Sequence, residues 1–587
     1  MILAWLLHVI YSTVIGYGLA HCFGGLSPAI SAISLILGGL IGLRQARGFL
    51  KTNRDYHAFV FAPGEAGGLE LVLSVLILYA ATRHFMWMLF PLEFNWATLS
   101  LNNYGDLPMH INFIEALANG IHFPPRNPIY ASELLRYPYG IDLYNALWEQ
   151  VGVRLQGHLA VVGILGTLAS LIFLRAFGGW AAIGAFFFSG GLAGWEVVRG
   201  QPLADFLHNV DWKNLFLTVF ITQRGMLIAL PVGLFLITSF RRHLSGEAVL
   251  SKRQLRQLGI VWGTMPLFHL HAFVALSLLL AAVALEFAGW SGVIKFLKSR
   301  PTLWAFIPAT YFVLFSTGGL QKASVVRFHW GWVSHEGDRM RFIIENFGPW
   351  LFVPLIIAGY LFFARRKFEE SVRRRLWIEF LVYALMFIFF YNVMFAPWEW
   401  DNIKLLIWPY LGFARLLWVV LDSGSDQSSQ GRLIGNFERP IFALVLFFSG
   451  MVTIAWTLQE PVGRAGTLYL MGELASTKGA LADVPKDAVF LAAPSHLHQL
   501  TYFGMLRAVG YEGHLWSHGI DARDSIDKLK RIMAGDPDSI ALARGLGVTH
   551  IFWGPLEKAQ FGDADLPWMH LLTNVSRVPG FAIYAVK

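Results

Sequence analysis

The sequence has almost no cysteine. Cys22 stands alone among 587 residues, which excludes an internal disulfide framework and any cysteine-based metal site. Charge is also scarce. Asp, Glu, Lys and Arg make up 14% of the chain, against about a quarter in soluble domains. There is no internal repeat and no glycine-rich phosphate-binding loop. The N-terminal Met1-Ile2-Leu3-Ala4-Trp5 carries neither a basic n-region nor a small-residue cleavage site. It reads as a retained first span rather than a removable signal peptide.

What is present is apolar. Hydrophobic residues make up 55% of the chain, with 48 Phe and 22 Trp, and the mean hydropathy is +0.51. This composition belongs to an integral membrane protein. The net charge is +8 and the pI about 9.4. In a soluble protein that balance would point to nucleic acid. Here the basic residues cluster in short loops between apolar runs, so positive-inside topology accounts for them and no nucleic-acid partner is expected.

A span needs ~20 mostly apolar residues. Candidates run over 3–21, 26–43, 69–90, 158–175, 179–194, 213–240, 257–274, 275–290, 302–318, 347–364, 376–396, 403–421 and 440–458, about thirteen in all. The stretch 257–290 can be read as one bent helix or two spans. Four basic clusters fall on one side if each candidate crosses once: Arg44 to Arg54, Arg241 to Arg256, Lys295 to Arg300, and Arg365 to Arg375. That side is then cytoplasmic. The loops 91–157, 195–212, 319–346 and 397–402, and everything after about 459, face the other way. Within 91–157, Ile111–Leu117 and Leu143–Trp148 have helical apolar spacing.

The C-terminal part has a different pattern. Strands are expected at Val489–Ala492, Val548–Trp553 and Gly580–Val586, and helices at Leu500–Val509, Asp524–Met533 and Ser539–Leu546. This alternation implies a small α/β domain over 459–587, following a membrane module over 1–458. Ser423–Gly431 reads as a polar linker.

Ionisable groups near an apolar slab are costly and mark function. Five clusters share the non-cytoplasmic side. The first is Asn102-Asn103-Tyr104-Gly105-Asp106-Leu107-Pro108-Met109-His110. Asp106 can be a helix cap, or a carboxylate held at the membrane surface as general base for an acceptor hydroxyl. His110 closes this cluster. After these come Glu115 to Gly120, Pro124-Pro125, Tyr130 and Arg136-Tyr137-Pro138-Tyr139-Gly140.

An Asp in the first large extracytoplasmic loop, an amphipathic helix ending in Asn-Gly, a Pro-rich stretch and a Tyr-Pro motif together resemble the GT-C superfamily. These are polytopic glycosyltransferases that use polyprenyl-phosphate-linked sugars. The span number, the orientation and the C-terminal domain are similar too. The resemblance implies a GT-C-like helical membrane fold, and it implies that Asp106 is the catalytic carboxylate. Two spans precede the one leading into this loop, whereas the superfamily often places the loop after the first span. That leaves the subfamily open.

The remaining clusters each carry two readings. Gln223-Arg224 lies within the sixth candidate span. Arg224 is either a structural ion pair or a bidentate partner for donor phosphate. His269 and His271 are two apart, so on a helix they diverge and share no metal. One can line a cavity while the other is a bonded core residue. Arg327 to Asp338 mixes cations with aromatics: an interfacial belt, or a surface where Arg327 and His329 meet phosphate and Trp rings meet sugar. Glu399, Asp401 and Asn402 suit a helix start. Lys404 does not, and either snorkels or faces an anion. His496, His498, His514 and His518 fit no zinc spacing and read as surface or loop residues. Glu557 reads as structural.

The expected protein is therefore a multi-pass glycosyltransferase of a bacterial plasma (inner) membrane. Asp106 is its base. His110, Arg224, His269, His271, Arg327, His329, Glu399, Asp401 and Lys404 contact its substrates. The donor is a polyprenyl-phosphate sugar, and the acceptor a glycan, lipid or protein. The transfer inverts the sugar in one step. Magnesium or manganese stays open, since Asp106 with Glu399 or Asp401 is a donor set that hard cations accept. The alternatives are a transporter or flippase of lipid-linked glycans, disfavoured by the one-sided polar groups, and a transfer-deficient glycan-binding subunit.

Overall fold

Backbone polar groups in a membrane must be satisfied within the segment, so long apolar runs fold as helices. The computed structural model describes residues 1–52, 68–206, 208, 210–319, 326–331, 339–363, 368–421, 438–459, 461–576 and 578–586. The expected linker Ser423–Gly431, together with Arg54, Trp332, Asp338, Arg365, Arg366 and Lys367, lies outside these residues. Among the described residues ten helices are long and apolar enough to cross a membrane. They are Ile2–Phe23, Pro28–Lys51, Gly68–Met86, Leu155–Phe187, Met226–Ser245, Leu270–Leu297, Arg339–Phe363, Glu370–Asn392, Glu399–Leu421 and Arg439–Gln459. The chain is a helical, multi-pass membrane protein.

The helices agree with the expected division of 158–194 and differ from the expected spans at three other places. The segments 158–175 and 179–194 appear as two helical stretches within Leu155–Phe187, divided where expected by the non-helical Gly178 and Gly179, with the second ending at Phe187. The 213–240 segment is broken: a π-helical turn at Phe216–Phe220 is followed by a turn through Arg224 and then by the helix Met226–Ser245. Arg224 therefore sits at a helix break, not inside a span. The 257–290 stretch breaks at 264–269, giving Lys252–Gly263, a single turn Met265–Phe268, and Leu270–Leu297. The 302–318 segment is the helix Arg300–Thr317, which is not among the ten. Arg44 and Arg47, expected in a loop, lie on the helix Pro28–Thr52.

Contacts cluster the chain into two units. The first comprises Met1–Leu7, Gly42–Phe85 and Val161–Pro461. The second comprises His8–Ile41, Met86–Ala160 and Val462–Lys587.

In the first unit glycines set the closest approaches. A Cβ on Gly259 would meet the Pro301 carbonyl and one on Gly263 the Ala305 carbonyl, so Lys252–Gly263 and Arg300–Thr317 run parallel. Small residues one turn apart allow such packing. Arg253, Arg256 and Arg300 thus lie at one end of this helix pair. At the kink in Leu155–Phe187, Gly179 has φ +55° and a Cβ there would strike the Trp418 indole. The kink breaks the helical ladder, and the Phe177 carbonyl accepts from Arg415 Nη1 at 3.0 Å.

That guanidinium belongs to a buried charged layer absent from the sequence reading. Arg241 Nη2 contacts Glu286 Oε2 at 2.7 Å and Glu379 Oε1 at 3.0 Å. Arg415 Nε contacts Glu379 Oε1 at 2.9 Å, and the Tyr383 hydroxyl donates to the same oxygen at 2.8 Å. Four helices supply these groups. At 1.5 Å per residue, Arg241, Glu286 and Arg415 stand roughly 22, 24 and 18 Å along their helices from Met226, Leu270 and Ile403. The expectation that the buried polar groups are one-sided is therefore corrected. The layer is hidden in the sequence because Glu286, Glu379 and Arg415 are single charges in apolar runs, Arg241 belongs to a basic cluster, and the four meet only in the bundle.

In the second unit, Asn95–Thr98 pairs antiparallel with both Phe90–Leu92 and Gly466–Leu470. This joins the start of the 91–157 loop to the start of the C-terminal segment. The latter carries a five-stranded sheet, in spatial order Thr573–Asn574, Ala582–Ala585, His550–Trp553, Val489–Leu491 and Leu506–Arg507. The last three are mutually parallel. The expected helices at Asp524–Met533 and Ser539–Leu546 appear as Arg523–Met533 and Ser539–Gly545. The helix expected at Leu500–Val509 does not form as one element. Only Gln499–Tyr502 is helical and Leu506–Arg507 is a strand, because Gly504 takes φ +65° and ends the turn.

Candidate functional site

Asp106 opens the helix Asp106–Ala118 behind Gly105. It is the first helical residue rather than the cap, half-buried, where a carboxylate suits the positive end of the helix. His110 follows by one turn, so the two share a face with Cβ atoms about 5–6 Å apart. The apolar side of this helix is buried from Leu107 to Leu117.

His110 is held by a residue the sequence reading did not single out. Its Nδ1 lies 3.0 Å from both carboxylate oxygens of Asp142. Both side chains are buried, and His110 Nε2 finds no hydrogen-bond partner among the described residues. A proton on Nδ1, facing Asp142, leaves Nε2 as the acceptor in the neutral ring. The signal for Asp142 was a carboxylate within the apolar run Gly140-Ile141-Asp142-Leu143-Tyr144. It projects from the helix Gly140–Gln150.

The C-terminal segment completes the surroundings. The His110 ring is 6.0 Å from Tyr137, and Tyr137 stacks on His518 at 4.8 Å. Tyr104 meets His496 edge-on at 5.8 Å. His514 hydrogen-bonds the Gly105 backbone, and burial pulls its pKa down to about 3. These histidines were read as surface or loop residues. That is corrected for His514, which is buried on the helix Glu512–Ser517, while His498 is a loop residue, buried, that caps Gln499–Tyr502. His514 meets Gly105 some 400 positions away, and His498 meets Glu557 59 positions away, which spacing cannot reveal. Glu557 is structural as expected: it accepts from Ala493 N at 2.7 Å, His498 Nε2 at 2.8 Å and Gly554 N at 2.9 Å.

Glu115 lies about two and a half turns beyond Asp106 on the helix Asp106–Ala118. Burial, with the Glu149 carboxylate second, pushes its pKa up to about 8. A carboxyl raised from 4.5 to about 8 in the folded state stabilises the fold fully below its unfolded value. That contribution is lost as pH rises through about 8. Glu115→Gln is therefore expected to flatten the fall in melting temperature between about pH 5 and 8. Thermal melts of purified protein across that range check this, and an unchanged slope would count against the assignment.

The other expected residues gather in the first unit. A Cβ on Gly225 would lie 2.1 Å from the Phe268 carbonyl oxygen and 3.7 Å from His269, so the Arg224 turn abuts the break before Leu270–Leu297. His269 caps that helix through Nδ1, accepting from Ala272 N at 3.1 Å. His269 and His271 rings are 6.0 Å apart. His271 bonds the Phe395 backbone and has Lys404 and Asp401 as electrostatic neighbours. Lys404 Nζ is 2.7 Å from Asp401 Oδ1, which answers the question of what this cation faces. His329 Nε2 is 3.3 Å from Glu399 Oε1. Arg327 is exposed in a two-residue strand paired with Val393–Met394. Gly225→Ala is expected to cost about 1–3 kcal/mol through overpacking, read as a lowered melting temperature. A neutral result would refute the close approach.

The carboxylates offered for a divalent cation are taken up elsewhere: Asp401 by Lys404 and Glu399 by His329. Among the described residues no group of three or more His, Cys, Asp or Glu is placed to hold a metal ion. No family model matches the chain, and no curated protein matches it.

Proposed function

We propose that the chain is a membrane glycosyltransferase, moving a sugar from a polyprenyl-phosphate donor to an acceptor hydroxyl. The site and the C-terminal segment would face the extracytoplasmic side. The observation that carries the reading is the Asp106–His110–Asp142 arrangement. It places a half-exposed carboxylate one turn from an imidazole fixed by a buried carboxylate, beside the rings of Tyr104, Tyr137 and His518. Ten apolar helices supply the setting in which a lipid-borne donor is met.

In this reading Asp106 takes the proton of the acceptor hydroxyl as its oxygen attacks the anomeric carbon. The bond from that carbon to the phosphate oxygen breaks, and the lipid phosphate leaves with the electron pair. One displacement inverts the sugar. The aromatic rings offer faces for it. Transfer by Asp106→Asn in proteoliposomes with a polyprenyl-phosphate sugar is the test, and full activity in a folded variant would sink the general-base role.

A transporter or flippase of lipid-linked glycans is the second reading, and the buried charged layer favours it more than the sequence did. Yet that layer holds two arginines and two glutamates in mutual contact, which suits a structural clasp. Movement of a lipid-linked glycan across proteoliposomes without any sugar transfer would decide for transport.

A further inference from the structure

We propose that Arg507, with Tyr469 and His496, forms a binding site for a phosphate group. In sheets with parallel strands, ligands bind outside the carboxyl ends of the strands. Arg507 ends the strand Leu506–Arg507, and His496 follows its parallel neighbour Val489–Leu491. Arg507 is fully buried. Its Nη1 donates to the Ser495 carbonyl at 2.8 Å, but Nε and Nη2 find no acceptor among the described residues. Leaving buried charged donors unmet is expensive, so a ligand that meets them gains that energy. Burial lowers the guanidinium pKa only to about 10, which keeps it cationic at neutral pH.

The nearby carboxylate does not fill the gap. Glu557 feels the charge of Arg507, yet its oxygens already accept from Ala493, His498 and Gly554. Two further buried groups lack partners among the described residues: the Tyr469 hydroxyl and His496 Nε2. Both interact electrostatically with Arg507. Nε and Nη2 form the edge of the guanidinium that grips two oxygens of one oxyanion. A carboxylate would be used up by that edge alone. Tyr469 and His496 (the latter in the tautomer protonated at Nε2) call for further oxygens, as a tetrahedral phosphate has. His514 links the site to the catalytic loop: it senses Arg507 and His496 and bonds Gly105, the residue before Asp106.

The site rests on the transferase reading only for the choice of a lipid phosphate as one probe. The experiment is calorimetric titration of the purified full-length protein in detergent micelles, with inorganic phosphate and, separately, with a polyprenyl monophosphate. Arg507→Gln is expected to weaken binding about tenfold or more, and Tyr469→Phe about threefold to tenfold. Arg523→Gln, at an exposed cation paired with Asp521, is expected to stay within about twofold. Arg507→Lys keeps the charge and loses the fork; it is read in place of Arg507→Gln if the latter does not fold, and is expected to bind about threefold or more weakly. A much tighter polyprenyl monophosphate identifies a lipid headgroup as the ligand, and equal affinities identify a free phosphate. Equal binding by wild type and the Arg507 variants, or no binding of either probe by wild type, overturns the site. Binding without any sugar transfer leaves it standing and counts against the transferase reading alone.

Discussion

Asp106→Asn is expected to slow sugar transfer by about 10²–10⁴-fold, the usual contribution of a general base. The substitution keeps shape and removes only the basic oxygen. Its structural cost is small, since a charge in the first turn of a helix contributes about 0.3–1 kcal/mol. The loss is therefore chemical and should fall on kcat, because an interaction needed only in the transition state leaves ground-state binding intact. Near-native melting with strongly reduced turnover is the expected pair of results. Turnover at the wild-type rate in a variant that melts near the native temperature would remove Asp106 from the chemistry. Asp142 offers a control of different character, because it acts through His110 Nδ1 and is a positioning residue.

Glu379→Ala is expected to destabilise the first unit by about 3–5 kcal/mol, the cost of breaking a buried ion pair by removing one partner. One carboxylate oxygen receives Arg241, Arg415 and Tyr383 at 3.0, 2.9 and 2.8 Å. Without it, Arg415 keeps the Phe177 carbonyl but no carboxylate contact among the described residues. Arg241 keeps Glu286, so Glu286 cannot neutralise both. Denaturant unfolding in micelles measures the effect. A loss below about 1 kcal/mol would mean that water or lipid headgroups solvate the layer. The variant also separates the two functional readings: a clasp loses stability, whereas a transport path loses flux with stability kept.

Much of the helical architecture was legible because apolar length is a local property. The spans at 3–21, 376–396, 403–421 and 440–458 correspond to helices, and so do the C-terminal helices near 524–533 and 539–545. Asp106 and His110 were legible as members of one polar cluster because they are close in the chain. Breaks were harder. The turn at Arg224 and the cap at His269 interrupt stretches whose hydropathy is continuous, because a helix end depends on what meets it, here Gly225 against the Phe268 carbonyl.

The sequence by itself determined a helical membrane protein with an ionisable loop around Asp106 and a C-terminal segment of alternating strands and helices. Tertiary structure alone decided which groups meet. It put Asp142 on His110, His514 on the Gly105 backbone and Arg241 and Arg415 on Glu379, and it left two donors of Arg507 without an acceptor among the described residues. The physical reason is range. Periodicity and propensity act over one or two turns, whereas a buried charge is settled by whichever partner packing delivers, however distant in the chain.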